Sequence, residues 1–150
     1  MADPLSIASG VVALVTFGLH TSKALCTAIE SLKTHTKTVR DLKAEVLALS
    51  TALEELKDAV ADDAEEFDKL KLPLLSCAVL CQDFSDLVRT CTDHTTETRI
   101  SFRDWTKLQF KGHDIESFRT VLAGYKSTIQ ITIGGINLFV CFKDSDYSYV

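Results

Sequence analysis

Five cysteines and four histidines have the widest chemical reach in this chain. Cys77 and Cys81 are four apart, and His94 follows Cys91 by three, from which a zinc site can be imagined. The CxxC pairing and the second histidine at HxxxH spacing that structural zinc sites use are missing. The cysteines fall instead on the apolar face of an expected helix, where free thiols behave as small hydrophobes. His113 and Asp114 form an acid–base pair on paper, since a carboxylate can orient an imidazole. Adjacent residues on a helix point about 100° apart, so this pair reads as exposed polar residues at a bend. The acidic run Asp62–Asp68 lacks the central glycine and terminal glutamate of a calcium loop. No phosphate cradle, nucleophile elbow or zinc-protease motif occurs. The expectation is a chain with no catalytic residue, no cofactor, no metal and no evident small-molecule substrate.

Composition agrees with a non-catalytic, globular reading. The 150 residues fit one domain, 46% of them hydrophobic and 25% charged. The net charge is −5. The densest basic stretch, Lys33, Lys37, Arg40 and Lys43, is interleaved with Asp41 and Glu45, so no nucleic-acid footprint is expected. An odd cysteine count and no basic residue ahead of the first apolar run place the chain in the reducing cytoplasm. Only two prolines and six glycines punctuate it, which favours long helices.

Those helices follow from spacing. Asp3 suits an N-cap and Pro4 the first helical position, so a first helix is expected from there to Leu32 or Lys33. Its opening, Pro4–Ser22, holds nineteen residues without one Asp, Glu, Lys or Arg. Leu5, Ile7, Val11, Val12, Leu14, Val15, Phe17 and Leu19 supply its greasy bulk. Gly10 and Gly18, with Ser6, Ala13 and Ser22, add a strip that permits close backbone approach. Three readings stand side by side: a core helix surrounded by others, a helix sheltered at rest that enters membrane when released, and a permanent span.

Val39, Leu42, Val46, Leu49, Leu53, Leu56 and Val60 recur at spacings 3-4-3-4-3-4, a heptad seam expected to pack helix against helix. Residues 62–68 read as an acidic linker or the first turn of the next element. A third helix is expected from Leu70 or Pro73 to Cys91, with Leu74, Cys77, Cys81, Phe84, Val88 and Cys91 as its seam, widened by Leu80 and Leu87. Ser101–Asp104 matches a capping signature. Trp105 and Leu108, then Ile115, Phe118, Leu122, Tyr125 and Ile129, continue at helical spacing with Gly112 between them, so a short helix followed by a longer one, or one bent helix, is expected. Gly134-Gly135 is expected to end the pattern. The fold class expected is all-α, an antiparallel bundle of four to five helices over residues 1–133, with residues 134–150 as an irregular, disordered tail.

Several of these segments resemble one known family. MADPLSIASGVVALVTFGL, VRDLKAEVLALSTALEEL, LKLPLLSCAVLC and SFRDWTKLQFKGHDIESFRTVLAGYKSTIQI occur in the order seen in the fungal N-terminal domain of STAND, NLR-like proteins. That domain is HeLo-like and is also named after azaphilone pigment biosynthesis cluster protein L. The likeness spans about Met1 to Ile133. It implies a helical signalling or cell-death module whose partners are itself, other helical signalling proteins, or membrane lipid on activation, with Pro4–Leu19 as the membrane-directed segment. The family's link to secondary metabolism implies, more remotely, an accessory role there. Two features depart from the family. No nucleotide-binding or repeat region follows, and Gly134–Val150 does not continue the pattern, as a truncated or mis-spliced end would not.

Overall fold

A computed structural model describes residues 4–32, 37–62, 64–93 and 115–147, with side chains over 10–32, 37–62, 65–89 and 115–137. Among the described residues the chain forms four α-helices and one 3-10 helix, with no strand. They are α1 (Pro4–Glu30), α2 (Lys37–Asp62), η1 (Ala64–Leu70), α3 (Lys71–Asp93) and α4 (Ile115–Tyr147). The all-α bundle expected from the seams is what the chain adopts.

Ion pairs set the directions. Lys23 meets Glu54 at 2.9 Å and Glu30 meets Lys43 at 3.0 Å. Later residues of α1 thus face earlier residues of α2, and the two run antiparallel. Asp41 and Glu45 of α2 take Arg119 at 3.3 Å and Lys126 at 2.9 Å, so α2 and α4 run the same way. Gly10 of α1 lies beside Lys71, the first residue of α3, so α1 and α3 start at the same end. The result is an up-down-up-down bundle in which α1 packs on α2 and α3, and α4 packs chiefly on α2.

The seam of α2 is the spine of the core. Val39, Leu42, Val46, Leu49, Leu53, Leu56 and Val60 are all buried. Burying an aliphatic side chain of this kind is worth roughly 1.5–3 kcal/mol, which is how a helix with a like-charge Glu54/Asp58 pair holds together. Pro73 sits in the first turn of α3, where its missing N–H costs no helix hydrogen bond.

Two elements differ from the sequence expectation. The acidic stretch after α2 is no mere linker: η1 turns Phe67 and Leu70 into the core while Glu65, Glu66 and Asp68 stay exposed. A single tight helical turn lets two apolar residues three apart share one side. The last helix also continues through Gly134 and Gly135 to Tyr147, past the boundary expected at Ile133. Each glycine lowers helix propensity by about 1 kcal/mol, too little to end a helix whose neighbours are Ile133 and Ile136, both packed against the core. The short helix expected from Ser101, with Trp105, Leu108, His113 and Asp114, lies outside the described residues, as do Asp3 and His94.

Candidate functional site

The charge-free start of α1 divides into two faces. Val11, Val15 and Leu19 are buried against the bundle, joined further along by Leu25 and Ile29. Val12 is 45% exposed and Phe17 36%, while Leu14 is half-buried. Leu5 and Ile7 are helical, but their side chains lie outside the described set. The part from Gly10 to Glu30 is long and apolar enough to cross a membrane by length and composition, with mean hydropathy 1.4, and half of that stretch is buried. A buried core helix meets the same criteria.

The small residues of α1 work inward. A Cβ on Gly18 would lie 3.6 Å from the Leu53 methyls, and one on Gly10 would meet Lys71 Cε at 3.2 Å. Ser22 is fully buried and accepts a hydrogen bond from Ser50. Thr21 is equally buried and bonds its hydroxyl to the Gly18 carbonyl at 3.1 Å. Sequence spacing did not single out this polar layer, because serine and threonine are read by default as surface residues.

The cysteines expected in the core are there: Cys26, Cys77 and Cys81 are buried free thiols. A hydrogen bond with Cys77 and burial both raise the Cys81 thiol far above its ordinary range. Cys26 is raised by burial, with Glu30 adding to it. Such thiols are not nucleophiles. Cys91 and Cys141 have side chains outside the described set. Among the described residues no group of three His, Cys, Asp or Glu side chains converges as a metal site would require. A depression of about 280 Å³ between η1 and α4 is lined by Glu66, Lys69, Thr132, Gly135 and Ile136. Its two charged residues are exposed, and nothing in it pairs a base with a nucleophile.

What the surface does offer is apolar. On α3, Leu72, Leu75 and Val79 are exposed, Leu72 by 75%. Their spacing puts them on the side opposite Leu74, Cys77, Ala78 and Cys81, which are buried. On α4, Ile131 is 74% exposed and Val121 is exposed too. Exposed apolar groups in numbers mark contact surfaces more than reaction sites.

α4 is clamped at its start. The Phe84 and Phe118 rings stack with centroids 4.1 Å apart and planes at 11°, and Ile115, Leu122 and Ile129 are buried below them. Lys126 Nζ approaches Glu45 Oε1 as a charge contact, without the alignment of a hydrogen bond.

A family model described as pigment biosynthesis cluster protein PigL N-terminal matches residues 2–145. No curated protein and no solved structure matches the chain.

Proposed function

The chain belongs to the pigment biosynthesis cluster protein PigL N-terminal family, and on that premise we propose that it is a non-enzymatic module that works by associating helix to helix. In this reading it acts as the N-terminal signalling domains of fungal STAND receptors do, in the cytoplasm. The observation that carries the reading is the run of large apolar side chains left in water outside a filled core, on α1, α3 and α4. A helix that only serves its own bundle places charged and polar groups on its outer face. Leu72, Leu75 and Val79 do the opposite on α3.

A second reading is a membrane-active effector, favoured by the charge-free first half of α1 and by its exposed Val12 and Phe17. Releasing α1 withdraws Val11, Val15, Leu19, Leu25 and Ile29 from the core. Whole domains are stable by only about 5–15 kcal/mol, a sum that lipid or oligomer contacts can supply.

Light scattering of the full chain over a concentration series, with and without anionic liposomes, tests both. Growth beyond the monomer supports the association module, and lipid-dependent binding with leakage supports the effector. A chain that stays monomeric and ignores lipid at every concentration sinks the pair.

A further inference from the structure

Resting on the reading of the chain as an association module, we infer that the outward face of α3, prolonged by η1, pairs antiparallel with the same face of a second copy of this chain.

Among the described residues, α3 is the helix on which exposed large apolar side chains form a row. Leu72, Leu75 and Val79 are all exposed, at spacings of three and four that keep a row facing a neighbouring helix. On α1, the exposed Val12 and Phe17 stand about 140° apart around the axis. On α4, the exposed Val121 and Ile131 are about three turns apart. The stretch from Leu72 to Gln82 contains no charged residue.

Charges close the row at both ends, and their order selects the partner. η1 ends at Leu70 and α3 begins at Lys71, with no residue between. While Phe67 and Leu70 turn into the core, Glu66 and Lys69 stay exposed. Further along α3, Asp86 and Arg89 are exposed. Outward from the midpoint between Leu75 and Val79, one end runs base then acid, Lys69 then Glu66. The other end runs acid then base, Asp86 then Arg89. The steps match in length. At about 1.5 Å per residue in α3 and about 2.0 Å in η1, Lys69 lies about 10 Å from Leu75, and Asp86 about 10 Å from Val79. By the same rises Glu66 lies about 16 Å from Leu75, and Arg89 about 15 Å from Val79.

Turning one copy end over end about that midpoint sets Leu75 against Val79, Lys69 against Asp86 and Glu66 against Arg89. A two-fold axis repeats each of these contacts. Leu72 then rests on the stem of Gln82. A parallel pairing would instead set Lys69 on Lys69 and Asp86 on Asp86. The net charge of −5 opposes any meeting of two copies. A face that carries its own counter-charges in reversed order offsets that repulsion where the copies touch. Asp86 accepts a hydrogen bond from Gln82 at 3.0 Å within the monomer, and exposed contacts of this kind exchange partners at little cost.

A second copy fits this face better than lipid. Glu66 and Asp86 stand at its two ends, where an anionic lipid surface repels them and a second copy supplies a base to each.

The experiment is sedimentation of the full chain over a concentration series. It compares wild type with four variants: Leu72→Gln/Leu75→Gln, Lys69→Glu, Asp86→Lys, and the double reversal Lys69→Glu/Asp86→Lys. Every substituted position is exposed, so helical content and urea midpoint are expected to hold. The wild type should self-associate, and the glutamine variant should do so about tenfold or more weakly. Each single reversal should weaken association about threefold or more, and the double reversal should restore it, because each copy then carries the exchanged charges. Wild type and glutamine variant associating equally would overturn this surface while leaving the association module standing. Weakening by the glutamine variant without restoration by the double reversal would overturn the antiparallel pairing. A wild type that is monomeric at every concentration overturns both the pairing and the association reading beneath it. Loss of phosphatidylserine-vesicle binding in the glutamine variant, with self-association intact, decides against a second copy and for lipid.

Discussion

The Ser50 hydroxyl donates to Ser22 Oγ across 2.9 Å, and Ser22 in turn donates to the Leu19 carbonyl at 3.0 Å. This relay ties α2 to α1 in the middle of an otherwise apolar interface. Ser22→Ala leaves the Ser50 hydroxyl without its acceptor, so a loss of about 1–3 kcal/mol is expected. Ser50→Ala leaves Ser22 still bonded, and about 0.5–1.5 kcal/mol is expected. The double alanine variant should lose less than the sum, since neither partner is then orphaned. Urea unfolding of the four chains checks the cycle.

Of the two glycines in α1, Gly18 is the more loosely packed. A Cβ there meets only the Leu53 methyls at ordinary contact distance. Gly18→Ala should therefore stabilise the chain, by up to about 1 kcal/mol of helix propensity. A fall in the urea midpoint would show that α1 and α2 lie closer than these distances allow.

The stacked Phe84 and Phe118 hold the start of α4 against α3. Phe118→Ala is expected to cost about 3–5 kcal/mol. Phe118→Leu, which keeps most of the volume, should cost visibly less. Hydrogen exchange should speed up first in α4 of the alanine variant, because its other large contacts are with α2.

The hydrogen bond from Lys23, with its charge, holds the Glu54 carboxyl below the ordinary glutamate range. A lowered folded pKa means the pair helps the fold above the unfolded value of about 4.3. That help is lost as the pH falls through the folded value. Both groups are exposed, so the consequence to measure is the titration itself. By NMR the Glu54 midpoint should lie below that of a free glutamate, and Lys23→Met should return it upward.

The buried thiols of Cys26, Cys77 and Cys81 should resist alkylation in the folded chain and react once urea unfolds it. Differential alkylation read by mass spectrometry resolves each position. Native labelling of Cys77 or Cys81 at the rate of a free thiol would mean that α3 does not pack as described.

Much of this protein was legible in its residues. Three-and-four spacing from Val39 to Val60 specified a helix with one buried side, because a rod with a greasy stripe has nowhere else to put it. The same logic placed Leu74, Cys77, Cys81, Phe84 and Val88 inward on α3, and all five are buried. Pro4–Ser22 announced a helix without charge. Periodicity could not say how that helix is shared between core and water, since an all-round apolar surface has no preferred side until neighbours supply one. Tertiary packing decided it, turning Val11, Val15 and Leu19 inward and leaving Val12 and Phe17 outside. Packing likewise drew Phe67 in from an acidic stretch and carried α4 through two glycines. Both depend on contacts far along the chain, and a local reading weighs only neighbours in sequence.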